Sequence, residues 1–185
     1  MRQLAIVFAT CLCLTACGGQ EPPAASAAAA APVAVAAPAP IAAAAPATDS
    51  AESRALLEAY LQAWNQHDSA AVAGFLSDDT TVFDALLANA YHGRAEAKQR
   101  VVDMYLRAVP DGQWSLRGEP VVSADGFSYE WTLTGTNSGD WTSYLRARGQ
   151  KIVFKGISIV RLKDGKIAYQ ANYFDTNALG AQAGW

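Results

Sequence analysis

Tyr60-Leu61-Gln62-Ala63-Trp64-Asn65-Gln66-His67-Asp68 is followed by Ser69-Ala70-Ala71-Val72-Ala73-Gly74-Phe75-Leu76 and then by Ser77-Asp78-Asp79-Thr80-Thr81-Val82-Phe83-Asp84. The stretch reads as the end of one amphipathic helix, a second short helix and a first strand. Leu56, Tyr60 and Trp64 recur at i, i+4 and i+8, which puts Tyr60 on the apolar side of its helix. Asp84 follows the apolar pair Val82-Phe83, where the strand is expected to end. A phenol and a carboxylate delivered to one apolar pocket would form an acid–base pair. The same residues also read as a core tyrosine and a strand-end carboxylate, and the residues alone leave both readings open.

The neighbouring segments extend this pattern. Asp49 offers a helix cap with Glu52 three residues later, and the helix should run to about Gln66 with Leu56, Leu57, Tyr60, Leu61 and Trp64 inward. Asp68 should cap the second helix, which carries Val72, Phe75 and Leu76. Residues 80–83 favour a short strand. Asp78-Asp79 reads as a solvated turn and His67 as an exposed helix junction. A loop ends at Tyr91-His92-Gly93, where His92 is a candidate for a pocket rim. Residues 94–108 form a third helix with Val101, Val102, Tyr105, Leu106 and Val109 inward, stopped by Pro110-Asp111-Gly112.

The remainder reads as β. Strands over 114–123 and 127–136 meet at Ala124-Asp125-Gly126, and Phe127, Tyr129, Trp131 and Leu133 alternate onto one face. A polar connection over 137–149 contains Trp141 and Tyr144. Residues 152–162 and 166–174 form a hairpin across Lys163-Asp164-Gly165. Helices first and antiparallel strands after indicate an α+β domain, whose curved sheet would wrap the helices and enclose a cone-shaped pocket. With Leu162 facing Lys166, one face of the hairpin carries Ile152, Phe154, Ser158, Gln170, Asn172 and Phe174. Polar groups set among apolar ones suit a pocket wall, though they could equally satisfy one another. The other face carries Val153, Ile157, Ile159, Ile167 and Tyr173, which could cover a core or a homodimer contact.

The chain has 185 residues and a net charge of −3. It has no basic excess to neutralise phosphates, so nucleic-acid binding is disfavoured. All three cysteines, Cys11, Cys13 and Cys17, lie at the N-terminus, and the histidines are His67 and His92. This leaves no disulfide framework in the domain and no His/Cys metal site; no metal or cofactor is expected. Met1-Arg2-Gln3 and the apolar run over 4–14 read as a secretory signal, residues 1–16, too short to span a bilayer comfortably. Leu14-Thr15-Ala16-Cys17 matches a bacterial lipobox, which implies cleavage before Cys17 and diacylglycerol on its thiol. Gly18 stands where aspartate would retain such a protein at the inner membrane. Resemblance to enteric lipoproteins therefore implies the periplasmic face of the outer membrane. Residues 17–48 are an alanine/proline linker, too small and too broken by proline to fold, with a reach of about 3.1 Å per residue, or ~90 Å. Residues 49–185 are the domain.

Six pieces of this domain resemble the SnoaL-like polyketide cyclase branch of the nuclear transport factor 2-like superfamily. They are Trp64-Asn65-Gln66-His67-Asp68, Tyr91-His92-Gly93-Arg94, Glu130-Trp131-Thr132-Leu133-Thr134-Gly135-Thr136, Gly156-Ile157-Ser158, Asp164-Gly165-Lys166-Ile167 and Tyr173-Phe174-Asp175. They occur in family order. The resemblance implies a curved sheet around three helices, often dimeric. The stretch from Tyr60 to Asp84 is also similar to ketosteroid isomerase, a relative of the same fold. That resemblance implies an oxyanion-donor role for Tyr60 and a proton-shuttle role for Asp84. Ser158 takes the place of the protonated carboxyl that is the second oxyanion donor in that enzyme. Asn172 stands where many cyclases carry their acid–base aspartate, and an amide cannot take a proton.

Two functions follow. The favoured one is an envelope-anchored module that binds a small apolar molecule or a partner without catalysis. The alternative is an isomerase- or cyclase-type enzyme in which Asp84 removes a proton α to a carbonyl while Tyr60 and Ser158 hold the enolate. In either case Trp64, Phe83, Trp131 and Phe174 would wall the pocket, with Phe154 beside them and Gln170 and Asn172 orienting the ligand.

Overall fold

The computed structural model describes residues 47–185, so the signal, Cys17 and nearly all of the linker lie outside the described residues. Helix α1 (Ala47–Asn65) begins two residues before the expected cap at Asp49. Leu57, Tyr60, Leu61 and Trp64 are buried along it, as the i, i+4 spacing requires. His67 then adopts a positive φ of 55° that ends the helix. Asp68 caps α2 (Ser69–Gly74) by accepting the Ala71 amide at 2.9 Å.

The first strand, β1 (Leu76–Asp84), is longer than expected. Leu76 opens the strand instead of closing α2, and Asp78-Asp79 lie within it, not in a turn. Both are exposed: Asp78 pairs with Arg94 at 3.1 Å, and Asp79 accepts the Ser77 hydroxyl at 2.8 Å. The loop before Gly93 contains a short strand, β2 (Asn89–His92). The third helix is continuous but irregular: α3 (Arg94–Ala97), a π turn (Lys98–Val102) and α4 (Asp103–Ala108). A π turn aligns residues five apart, and Lys98 accordingly reaches Asp103 at 2.9 Å.

The remaining strands are β3 (Gln113–Ser123), β4 (Gly126–Thr136), β5 (Lys151–Lys163) and β6 (Lys166–Phe174). Helix α5 (Thr176–Ala183), which the strand-rich reading did not anticipate, follows an Asp175 cap and ends at Gly184, φ 75°. The six strands form one open, mixed sheet in the order β2-β1-β6-β5-β4-β3. β1 runs parallel to β6, and the other neighbours are antiparallel. The α+β architecture and wrapped helices stand; the sheet is not closed into a barrel.

Two local devices set the shape of the interior. Asn65 at the end of α1 clamps the start of β3: its Nδ2 donates to the Trp114 carbonyl at 2.9 Å and its Oδ1 accepts the Trp114 amide at 2.7 Å. His67, half-buried and not exposed as expected, contacts the Gly112 carbonyl at 2.7 Å. The second device is Gly156. A Cβ there would lie 2.3 Å from the Trp131 indole, so glycine lets that ring approach the β5 backbone closely.

The last hairpin differs from its expected register. Leu162 pairs with Ile167, not Lys166, and a bulge places Ala168 as an extra residue before Tyr169. Ser158 consequently faces Asn172, two residues from the expected partner. Because the displacement is even, Phe154, Ser158, Val160, Gln170 and Asn172 still share the inner face. The bulge also turns Ile167, expected on the outer face, into the core.

Candidate functional site

The inner face of β4, β5 and β6 meets α1 and α4 around a small cavity of about 30 Å³. That is space for one or two water molecules, far below the roughly 300–1,000 Å³ of a drug-sized ligand site. Aromatic rings form its walls: Trp64 from α1, Tyr105 from α4, Trp114 from β3, and Tyr129 and Trp131 from β4. Its polar side is Ser158, Gln170 and Asn172. Trp114 is half-buried, whereas the other lining residues are buried, so its ring is the outermost wall. It packs on Trp64 with centroids 4.8 Å apart.

The polar side is one hydrogen-bonded ladder. Tyr60 donates its hydroxyl to Gln170 Oε1 at 2.9 Å. Gln170 Nε2 donates to Asn172 Oδ1 at 2.8 Å, and the Ser158 hydroxyl donates to the same oxygen at 2.8 Å. Trp131 Nε1 donates to Ser158 at 2.9 Å. Two donors on Oδ1 orient the Asn172 amide nitrogen the other way, toward the carboxylate of Asp84. Every group in the ladder is neutral. The Ser158 hydroxyl hydrogen is already given to Asn172, so Ser158 is not a free oxyanion donor. Gln170 retains its second amide hydrogen as a donor toward a ligand.

Asp84 is completely buried but does not line the cavity. Its Oδ1 accepts the Leu86 and Leu87 amides at 3.0 and 3.4 Å, closing the turn after β1. Its Oδ2 accepts the Tyr105 hydroxyl at 3.0 Å. Burial pushes this carboxyl up to about 6, against the lowering pull of Tyr105, the two amides and Asn172. Burial likewise raises Tyr60 to about 12, and burial together with the adjacent Asp84 charge raises Tyr105 well above its ordinary value. Both phenols are therefore neutral donors near pH 7.

The structure thus does not join Tyr60 directly to Asp84. Their hydrogen bonds go to different partners, and the connection between them runs through Gln170 and Asn172. Trp64, Trp131, Ser158, Gln170 and Asn172 line the cavity. Phe154 and Phe174 pack behind Trp131, with centroids at 5.7 and 5.9 Å. Phe83 is not a pocket wall: it packs beside the exposed Tyr173, 5.3 Å away. His92 is exposed and contacts Thr81 at 3.1 Å. Sequence reasoning treated Tyr105 and Tyr129 only as inward residues and gave Trp114 no site role. The inward spacing of Val101 and Tyr105, and the alternation shared by Tyr129 and Trp131, were the signals available.

The family comparison agrees with this geometry. The model of the SnoaL-like domain matches residues 57–170. No curated protein matches the sequence. Among solved structures, AclR from Streptomyces galilaeus, a candidate hydroxylase, is 22% identical with a TM-score of 0.62, covering 73% of this chain and 97% of its own. A candidate polyketide cyclase from Pseudomonas putida KT2440 is 27% identical with a TM-score of 0.57, covering 69% and 95%. A protein of ketosteroid isomerase-like fold from Catenulispora acidiphila, in complex with trimethylamine, is 16% identical with a TM-score of 0.58, covering 70% and 92%. With the cavity, the ladder and the mixed sheet in place, the match over residues 57–170 makes the chain a member of the SnoaL-like domain family.

Proposed function

We propose that the domain binds a small, largely apolar molecule against the Ser158–Gln170–Asn172 ladder and does not transform it. One observation carries the reading: the polar groups lining the cavity are neutral, while the buried carboxyl of Asp84 lies outside the lining. A neutral ladder holds a carbonyl or hydroxyl in place, but it cannot take a proton from it. Because the cavity is small, a ligand enters by displacing Trp114, the half-buried wall. Trp114→Ala should enlarge the site and admit an apolar fluorescent probe to the folded protein, with Gln170→Ala weakening that uptake. Equal probe uptake by the Trp114→Ala protein with and without Gln170→Ala would overturn the reading.

The second reading is acid–base chemistry. Asp84 is buried and raised to about 6, and Tyr105 both touches it and lines the cavity. The candidate cyclase at 27% identity gives this reading further support. Turnover of a ketone that disappears in Asp84→Asn would establish it in place of the first.

We place the domain on a lipid anchor at Cys17, at the periplasmic face of the outer membrane, from the lipobox and the following linker. No helix among the described residues is long and apolar enough to cross a membrane. Fatty-acid labelling lost in Cys17→Ala tests the anchor. The outer sheet face exposes Val153, Ile157, Ile159 and Tyr173, between 40% and 51% accessible, and supports a homodimer through that face. Sedimentation that shows only monomer, unchanged by Ile157→Glu, would remove it.

A further inference from the structure

A second concavity lies away from the ladder. It is a groove of about 830 Å³ between the outer side of the third helix, the end of the β1–β2 turn and the connection that follows β4. Arg100 and Arg107 line it, with Leu87 and Met104 as apolar lining and Tyr91 and Tyr144 as aromatic lining. Buried Trp141 contributes as well.

The charges in this groove are unequally committed. Asp140 is occupied by Arg146 at 2.6 Å and by the Ala147 amide at 2.9 Å. Glu96 accepts the His92 amide at 3.1 Å. Arg107 donates to two carbonyl oxygens, of Asp140 at 3.1 Å and Trp141 at 3.3 Å, and its charge is shared with the nearby Asp103 and Asp140 carboxylates, which leaves Arg100 as the guanidinium with no such partner. Among the described residues, no carboxylate is bonded to Arg100. Tyr144 is 88% exposed. A second, independent feature coincides with the groove: Arg100 lies in the π turn, an irregularity that regular helix would avoid and that recurs at functional sites.

The geometry points to this groove as a binding site for a small organic carboxylate with a flat apolar body. A guanidinium fork matches a carboxylate through two parallel hydrogen bonds. The apolar and tyrosine lining suits a ring better than a hydrated inorganic ion, and the groove is much larger than such an ion requires.

Benzoate is the probe, titrated into the purified full chain and followed by backbone amide shifts. Binding should have a dissociation constant of about 1 mM or tighter, with shifts centred on residues 100–107 and 140–146. Arg100→Ala should weaken it about tenfold, the scale of one lost charge-assisted contact, and Tyr144→Ala by a smaller factor. Arg100 and Tyr144 are exposed, so neither variant threatens folding, whereas Arg107 also holds a loop. The site is overturned by absence of binding, by binding indifferent to Arg100→Ala, or by shifts centred on Gln170 and Asn172. Inorganic phosphate competing as strongly as benzoate would overturn the flat-body assignment. Arg100-dependent adsorption to anionic phospholipid vesicles without benzoate binding would replace the small acid with a membrane surface.

Discussion

The ladder on β5–β6 and the carboxyl at the end of β1 are both buried and polar, yet they are opposite in energetic character. In the ladder, neutral groups meet neutral groups except where the Asn172 amide faces Asp84, and the strong donors find acceptors, so its net contribution to stability is favourable and, away from that one contact, insensitive to pH. Asp84 instead carries a charge that burial opposes even with four hydrogen-bond partners. A carboxyl retained against that penalty marks a place where the fold tolerates a cost. The ladder marks a place where it does not.

Putting a second charge into the ladder should give the largest effect. Asn172→Asp would set a carboxyl beside Asp84 and remove the amide that faces it. Stability at pH 7 should fall by about 3–5 kcal/mol and recover substantially toward pH 5, measured by urea unfolding. An unchanged midpoint at pH 7 would erase the contrast. Asp84→Asn should act in the opposite direction. The folded-state value of about 6 exceeds the ordinary 3.8, so this group's favourable contribution is complete below 3.8 and disappears as pH rises through about 6. The variant should gain up to about 3 kcal/mol at pH 7 and lose the downward slope of stability across that window. A loss of stability at pH 7 would show that Asp84 is needed to close its turn.

Ser158→Ala should cost about 2 kcal/mol, equally at pH 5 and pH 8, by leaving the Trp131 indole N–H unpaired. A pH-dependent cost would mean that the ladder shares the titration of Asp84. Tyr105→Phe is the smallest of the four, at about 1.5 kcal/mol at pH 7 and less at pH 4, where its partner is protonated. Equal costs at both pH values would show that the phenol contributes packing alone.

Much of the fold could be read from local chemistry. Asp68 capped its helix, Asp164-Gly165 turned the last hairpin, and alternation placed Phe127, Tyr129, Trp131 and Leu133 inward. What escaped depended on distant packing. The bulge at Ala168 follows from turning Ile167 into the core, which no local pattern announces. The Tyr105–Asp84 bond joins a residue of α4 to the last residue of β1, a tertiary contact that periodicity cannot specify. Tyr60 and Asp84 are both interior but do not share the cavity, and each bonds a different partner, because burial is a one-body property and hydrogen bonding is not.

The clamp on Trp114 has a consequence for crowded surroundings. β3 and β2 are the outer strands of the open sheet, and such margins invite strands from other molecules to add on. At one margin, Asn65 takes both main-chain groups of Trp114. At the other, Glu96 takes the His92 amide. Each side chain stands in for a missing neighbour strand, so copies confined to a surface would meet margins already partly sealed against runaway stacking.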